Sequence, residues 1–275
     1  RRPARTACTD HPVNLSGCWL SDTAGTNKYR IPDGTSILAR GWLSFTQTQL
    51  GFALNAEGES IYFVNSNQTR VLDAFTYGGQ ENGVSLGRYP DGAPGFQRLN
   101  TLTLGASNAP PRPSSVVINE IMYHPISESD DDEYIELHNR CASAVSLAGW
   151  QIQDGASFTF PSNAVIAAGG YVVVARNMTN LFAKYPQLKV TNTFGNFSGK
   201  LSDSGERIAL AMPDEIVTLG ITNIFHIAVN EVTWRDGGRW GQWSDGGGSS
   251  LELIDPDADN RYAANWADSD ETTKA

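Results

Sequence analysis

A ten-residue stretch near the start of the chain recurs in its second half: Val13-Asn-Leu-Ser-Gly17-Cys-Trp-Leu-Ser-Asp22 aligns with Val145-Ser-Leu-Ala-Gly149-Trp-Gln-Ile-Gln-Asp154. Three further pairs of blocks follow in the same order: Pro32–Phe45 with Pro161–Val174, Leu54–Ile61 with Leu201–Ile208, and Gly83–Leu86 with Gly248–Leu251. Self-similar blocks in one order are the mark of an internal repeat. The sequence therefore predicts two tandem copies of one domain.

Short runs of strand-forming residues fill both copies. Trp42-Leu-Ser-Phe45 and Tyr171-Val-Val-Val174 follow Gly-containing turns, and Arg207-Ile-Ala-Leu-Ala211 follows another. Closely spaced strands without intervening helices predict an all-β fold, with two sandwiches rather than alternating strands and helices. One short helix is expected, over Met178–Tyr185, and Pro186 would end it.

The segment between the copies is small, Pro-rich and without periodicity, which is typical of a semi-rigid linker. The predicted organisation is a first domain over residues 1–109, a linker over 110–115 and a second domain over 116–275.

The two copies differ at their starts. Two strand-like segments, Val116–Tyr123 and Tyr134–His138, open the second copy, whereas residues 1–12 before the first copy show no alternation. The first domain is therefore expected to lack its first two strands. Its open sheet edge and apolar face would need cover from the second domain or from a second molecule, as in a homodimer.

The 275 residues carry a formal net charge of −10, unevenly divided. Residues 1–112 hold 10 Lys and Arg against 8 Asp and Glu, whereas residues 113–275 hold 10 against 22. Nucleic-acid binding rests on clustered Lys and Arg, so this balance argues against a nucleic-acid partner. No apolar run approaches the roughly 18 residues of a membrane span, so no membrane insertion is expected.

The three cysteines, Cys8, Cys18 and Cys141, form no complete disulfide framework, and no C-x-x-C pair is present to hold zinc. Small buried apolar residues are the simplest interpretation. A Cys8–Cys18 bridge is an alternative in an exported chain.

The second copy also carries a dispersed pattern of motifs that extends over residues 116–270. It comprises Ile118-Asn-Glu-Ile121, Glu133-Tyr-Ile-Glu-Leu-His-Asn139, Leu147-Ala-Gly-Trp150, Gly169-Gly-Tyr171, Leu201-Ser-Asp-Ser-Gly-Glu206, Gly248-Ser-Ser-Leu-Glu-Leu253 and Asn265-Trp266. With these motifs the chain resembles the lamin tail domain family, whose members occur in nuclear lamins and in secreted bacterial proteins. The resemblance implies an immunoglobulin-like β-sandwich for each copy, and it implies much less about function.

Hydrolytic chemistry needs a nucleophile on a sharp turn with a histidine and an acid in reach. No G-x-S-x-G motif is present, and the sequence shows no nucleophile partner for His11, His124, His138 or His226. The sequence thus contains no motif that combines a nucleophile, a histidine and an acid.

Asp255-Pro-Asp257-Ala-Asp259-Asn260 places oxygen ligands at alternate positions, which suits Ca²⁺. A second acidic cluster, Glu128–Glu133, precedes a strand. The alternative interpretation of both is a solvated acidic turn. If an ion is bound, we expect Asp255, Asp257 and Asp259 to bind it.

Three tryptophans surround a Gly-rich loop in Trp234-Arg-Asp-Gly-Gly-Arg239-Trp240-Gly-Gln-Trp243. Exposed Trp faces stack on sugars or anchor protein partners, and Arg adds hydrogen bonds. Arg239, Trp240 and Trp243 are therefore the candidate ligand-binding residues. Alternatively the tryptophans pack in the core, and alignment with Phe75-Thr-Tyr77 predicts this for Trp234.

The expected function is a non-catalytic tandem binding or scaffolding module of a larger secreted or surface bacterial protein, located outside the cell or on its surface. Its partner would be a protein or a polysaccharide surface. Two alternatives stay open: a polysaccharide-binding module that uses the Trp240/Trp243 loop, and a hydrolase with a carboxylate and His138 or His226 in the second domain.

Overall fold

A computed structural model describes residues 4–6, as backbone, and residues 10–270. It confirms the all-β prediction and divides the chain into two compact units, Arg1–Pro113 (unit 1) and Ser114–Ala275 (unit 2). Among the described residues, each unit has one short α-helix, α1 (Gln47–Leu50) in unit 1 and α2 (Met178–Lys184) in unit 2, and unit 2 also has 3-10 turns at Asp130–Asp132 and Ala263–Asn265. The predicted helix before Pro186 is therefore confirmed, and α1 was not expected.

The strands are numbered along the chain. Those of unit 1 are β1 (Ala4–Thr6), β2 (Val13–Asn14), β3 (Trp19–Ser21), β4 (Tyr29–Arg30), β5 (Ser36–Ile37), β6 (Trp42–Ser44), β7 (Glu59–Val64), β8 (Val71–Tyr77), β9 (Leu86–Arg88) and β10 (Phe96–Arg98). Those of unit 2 are β11 (Val116–Met122), β12 (Tyr134–Asn139), β13 (Val145–Ser146), β14 (Gln151–Asp154), β15 (Ala156–Thr159), β16 (Val165–Ile166), β17 (Tyr171–Ala175), β18 (Thr193–Gly195), β19 (Ser198–Gly199), β20 (Arg207–Thr218), β21 (Ile221–Thr233), β22 (Leu251–Leu253) and β23 (Trp266–Asp268).

Unit 2 is an immunoglobulin-like sandwich of a six-stranded sheet, in the order β18-β17-β12-β11-β22-β23, and a five-stranded sheet, in the order β19-β15-β14-β20-β21. Alternate residues of the central strands point into the space between the sheets, so Ile135 and Leu137 from β12 meet Ile152 from β14 in one core. Trp234 and Trp266 lie in the same core, as the alignment predicted for Trp234.

Unit 1 has fewer strands in its sheets. Its largest sheet has four strands, in the order β4-β3-β7-β8, and the remaining strands form the pairs β1–β6, β2–β5 and β9–β10. A smaller core joins Leu15, Leu20, Ile37 and Phe63 to the helix residue Leu50.

Wherever both units have a strand pair, the pairing register agrees with the sequence alignment. Leu20 pairs with Phe63 in unit 1, and the aligned Ile152 pairs with Leu210 in unit 2. The next ladders, β7–β8 and β20–β21, each shift register just after these residues, between Phe63 and Val64 and between Leu210 and Ala211. A bulge at the same place is a specific feature, because an extra residue changes the direction of every side chain beyond it.

One tight turn is also built the same way in both units. Gly58 and Gly205 have φ angles of +119° and +93°, and a Cβ on either would clash with the carbonyl oxygen of Tyr77 or of Trp234. Each position needs glycine because of its positive φ and its close approach to the next strand.

One expectation about unit 1 needs correction. A strand does precede Pro12, because β1 pairs with β6 through Thr6↔Trp42. The segment predicted to be a linker, residues 110–115, contains the boundary between the two units, which lies after Pro113. The carbonyl of Pro110 accepts a hydrogen bond from Asn100 N within unit 1, and that of Ser115 accepts one from Arg140 N within unit 2. The predicted Cys8–Cys18 bridge involves Cys8, which lies outside the described residues.

Candidate functional site

Residues 235–248, here called the Trp loop, connect β21 to β22. The loop is held by Asp268, whose Oδ1 accepts a hydrogen bond from Ser244 N at 2.7 Å and whose Oδ2 accepts one from Gln242 N at 3.1 Å. These bonds anchor the loop to β23, the edge strand of the six-stranded sheet. A charge-assisted anchor of this kind fixes the direction of the side chains between its two donors.

The three predicted ligand-binding residues are placed differently. Trp240 packs in the core, with its ring 6.3 Å from the ring of Trp266, so it is not available to a ligand. Trp243, which lies between the two anchored backbone amides, is 67% exposed. Arg239 is exposed as well. The structure therefore leaves Trp243 and Arg239 as the accessible residues of this site.

The Trp loop continues into a histidine–carboxylate pair that the sequence analysis missed. His124 Nδ1 lies 2.6 Å from Asp245 Oδ1, and its Nε2 lies 3.5 Å from Glu128 Oε2. The hydrogen bond with Asp245 raises the pKa of His124, and the charge of Asp203 acts in the same direction. The residues of the pair are 121 positions apart, so no local motif could have shown it.

The two histidines of the predicted hydrolase alternative, His138 and His226, are each in contact with a backbone carbonyl group. His138 Nδ1 lies 3.1 Å from the carbonyl oxygen of Gly170, and its ring stacks on Tyr171. His226 Nε2 lies 3.1 Å from the carbonyl oxygen of Gly149. In these contacts both rings have structural roles, and neither is paired with a hydroxyl or thiol.

The acidic cluster Glu128–Glu133 is largely neutralised by groups of its own unit. Asp132 accepts hydrogen bonds from Ser127, Asn180 and Lys184, and Asp130 pairs with Lys200 at 3.2 Å. A carboxylate that is satisfied in this way has fewer free lone pairs for an ion.

Glu133, at the end of the same cluster, lies beneath the sheet surface at 1% exposure. One of its carboxylate oxygens accepts a hydrogen bond from Leu201 N at 3.0 Å, and the other has no hydrogen-bond partner. Burial raises the pKa of Glu133 to about 7, because the charged form loses its hydration. The group therefore titrates near neutral pH.

The proposed calcium ligands do not converge in the structure. Asp255 Oδ1 accepts a hydrogen bond from Asp257 N at 2.9 Å, and Asp257 lies 3.7 Å from Arg140. Burial opposes ionisation of Asp259, but its hydrogen bonds and ion pair with Arg261 outweigh that effect and lower its pKa. Within residues 4–6 and 10–270, no group of three His, Cys, Asp or Glu side chains is arranged to hold a metal ion. The calcium site stays a prediction.

Of the helices in the described part of the chain, none combines the length and the hydropathy of a membrane span.

A model of the Lamin Tail Domain family matches residues 109–264, which is more than half of the chain and nearly all of unit 2. The chain belongs to the Lamin Tail Domain family. The family match covers the five-stranded sheet, the Trp loop and every strand of the six-stranded sheet except β23. Of unit 1 it includes only the last five residues.

Two further comparisons add little about this family member. No curated protein matches the chain. A solved structure of a DUF4876 family protein from Bacteroides thetaiotaomicron is similar at 10% sequence identity, with 86% of this chain and 78% of that chain covered and a TM-score of 0.31. A similarity at this level carries no argument about function.

Proposed function

We propose that the chain is a tandem pair of lamin tail domains that serves as a non-catalytic binding or scaffolding module of a larger secreted or surface bacterial protein. The matched strand registers, the shared bulge position and the shared Gly58/Gly205 turn support the view that both units are copies of one domain. Two linked modules can bind a surface more tightly than one, because the second contact becomes intramolecular.

The observation that carries the binding role is the exposed Trp243 on an anchored loop. Contact with water is unfavourable for a large apolar side chain, and a partner that covers the side chain lowers the free energy. The backbone amides on both sides of Trp243 are fixed by Asp268, so little conformational entropy would be lost on binding. Exposed Arg239, four residues earlier on the same loop, supplies hydrogen-bond donors.

A polysaccharide is the partner that this surface favours. Trp243 offers a flat apolar face for a sugar ring, and the guanidinium of Arg239 can donate to ring hydroxyls. The surrounding loop is rich in glycine, which leaves space for an extended chain of sugars to approach. The net charge of −10 fits a neutral polysaccharide better than an acidic one, since like charges repel.

The alternative hydrolase function has one observation in its favour, the His124–Asp245 pair, which has the arrangement of a base and its orienting carboxylate. However, the second ring nitrogen of His124 faces Glu128 rather than a serine or cysteine. A triad-type mechanism would need a nucleophile at that position.

Affinity electrophoresis of the full chain in gels that contain neutral polysaccharides tests the proposal. We expect retardation by at least one of them, and Trp243→Ala should abolish it. Tyr262→Ala is the matched control, because it removes another exposed aromatic of unit 2 outside the Trp loop and should leave retardation unchanged.

Two results would contradict the proposal. One is retardation that survives Trp243→Ala, which would remove the Trp loop from the binding surface. The other is turnover of an ester, phosphate or glycoside substrate that His124→Ala abolishes, which would make the chain an enzyme.

A further inference from the structure

The hairpin β20–β21 of unit 2 is longer than the aligned hairpin β7–β8 of unit 1. In unit 1 the polar segment Asn65–Arg70 connects the two strands directly after the shared bulge. In unit 2 the strands continue beyond the bulge, and residues 212–218 pair with residues 221–227. β14 pairs with β20 only as far as Ala211. The added part of the hairpin is therefore a two-stranded ribbon that extends beyond the five-stranded sheet.

The end of this ribbon, Ile216–Phe225, is here called the hairpin tip, and it contains no Asp, Glu, Lys or Arg. Four of its aliphatic side chains lie largely in water. Their exposed fractions are 65% at Val217, 97% at Leu219, 64% at Ile221 and 69% at Ile224. Single exposed apolar residues are ordinary on a protein surface, whereas a contiguous group of them marks an interaction site.

The exposed side chains of the hairpin tip point in several directions. Val217 pairs with Thr222, which is two residues before Ile224, so Val217 and Ile224 share one face of the ribbon. Ile221 is next to Thr222 in the strand and therefore lies on the opposite face. Leu219 lies in the turn between the two strands. The tip is thus apolar on both faces and at its end.

The turn of the hairpin tip contains an unfavourable residue. Leu219 and Gly220 form the two-residue loop, and both have positive φ angles, +53° and +81°. Positive φ at both loop residues is a feature of type I′ turns, in which Asn-Gly is the preferred sequence. Leucine is strained in this left-handed conformation. Leu219 thus adds backbone strain to its exposure, and an outlier of this kind points to a functional contact.

We propose that the hairpin tip inserts into the surface of an electrically neutral lipid bilayer. A protein surface would cover one face of a flat ribbon, and pairing of β21 with the same strand of a second molecule would cover its edge. Neither would cover Leu219 and both faces together, whereas a bilayer surrounds a tip that enters it. A neutral bilayer fits because the protein has a net charge of −10 and because Asp214 and Glu215 directly precede the tip.

The edges of the ribbon limit the depth of insertion. Among the described strands, no third strand pairs with residues 212–218 or with residues 221–227. Unpaired backbone groups are not tolerated in the hydrocarbon region, so only the turn and about two residues of each strand enter, which corresponds to roughly 7 Å. The expectation of no membrane insertion from the sequence concerned runs long enough to span a bilayer, and a shallow insertion needs no such run.

Flotation of the full chain with phosphatidylcholine vesicles tests the proposal. The exposed aliphatic side chains are together comparable to one acyl chain, so we expect weak, reversible binding at millimolar lipid. High salt should leave this binding unchanged, because no ion pair contributes to it. Vesicles that also contain phosphatidylserine should bind less of the chain at low salt, since like charges repel.

Two substitutions separate the hairpin tip from the rest of the surface. Leu219→Asn should lower the partition constant at least about tenfold, because an amide replaces the apolar side chain. Asn is favoured in this turn, so the variant should melt at the same temperature as the wild type or at a higher one. Val190→Asn is the matched control, because Val190 is 75% exposed in the same unit outside the hairpin.

Fluorescence quenching by brominated phosphatidylcholine tests the depth of the tip. We expect the added emission of Leu219→Trp to be quenched by bromine atoms on the acyl chains. The added emission of Val190→Trp should not be quenched, because this side chain stays in water.

Several outcomes would overturn the inference. They are no flotation at millimolar lipid, equal flotation of Leu219→Asn and Val190→Asn, or equal quenching of the two added tryptophans. A dimer in sedimentation that Leu219→Asn dissociates would assign the tip to a second molecule instead. Trp243→Ala should leave flotation unchanged. A chain that binds polysaccharide but no vesicles would therefore refute this inference and leave the proposed function intact.

Discussion

Unit 1 and unit 2 use the same strand pairings but close their cores differently. Ile208, Val232 and Leu251 of unit 2 are fully buried, whereas the aligned Ile61, Phe75 and Leu86 of unit 1 are each only partly buried. In unit 2, β11 lies in the middle of the six-stranded sheet and carries core residues, and no equivalent of it is among the described strands of unit 1. Strand pairing is therefore a local property that each hairpin can satisfy, whereas a closed core needs every strand of both sheets.

The largest expected effect compares identical residues at aligned positions. Ile208→Ala should cost about 2–5 kcal/mol of unfolding free energy, because it empties a closed core. Ile61→Ala should cost less than half as much, because its side chain already borders a cavity. Denaturant unfolding of the full chain, followed separately for each unit by hydrogen exchange, measures both. Equal losses would show that the core of unit 1 is as closed as that of unit 2.

A second pair of variants tests the tight turn that the two units share. Gly58→Ala and Gly205→Ala should each destabilise their own unit by about 1–2 kcal/mol or more, because alanine is strained at positive φ and its Cβ would clash with the neighbouring strand. Melting of each unit in the full chain provides the measurement. If only one of the two variants were destabilising, the two turns would not be equivalent. This result would argue against the proposal that the units are copies of one domain.

The third prediction is a pH dependence confined to unit 2. Folding raises the pKa of Glu133 to about 7 from a usual value near 4.5, so between these values the folded state holds more protons than the unfolded state. The stability of unit 2 should therefore fall as the pH rises from about 4.5 to 7. Glu133→Gln should flatten this part of the pH profile. A wild-type profile that rises over the same interval would contradict the assignment.

Calcium binding gives a smaller expected effect, also in unit 2. If Asp255, Asp257 and Asp259 bind Ca²⁺ in the folded state, the melting temperature of unit 2 should increase with the logarithm of free Ca²⁺. Asp257→Asn should reduce this increase, whereas unit 1 should melt at the same temperature throughout. Identical melting in millimolar Ca²⁺ and in excess chelator would rule out the site.

The smallest effect concerns His124. Because the Asp245 hydrogen bond raises the pKa of His124, its stabilising contribution is complete below the usual value of about 6.5 and is lost as the pH rises through the raised value. His124→Gln should remove a small decrease in the stability of unit 2 above neutral pH. Histidine NMR titration checks the direction, and a pKa below 6.5 would refute it.

Local patterns in the sequence determined much of the fold. Alternating apolar residues predict strands because successive side chains in a strand point to opposite faces, and the repeated blocks carried that pattern into both units. Pro186 placed the end of α2, and the alignment of Trp234 with Tyr77 predicted its burial. Each of these inferences depends on neighbours in the chain or on a direct sequence match.

Only the tertiary structure decided which distant residues meet. Trp240 and Trp243 are three residues apart, yet one packs against Trp266 and the other is exposed. Asp245 and His124 come together because the Trp loop returns to the six-stranded sheet, and Asp259 is paired with Arg261 because of the local turn geometry. The physical reason is that the burial and the ion pairing of a side chain depend on every residue that surrounds it in space. A sequence motif contains only the residues that are close to it along the chain.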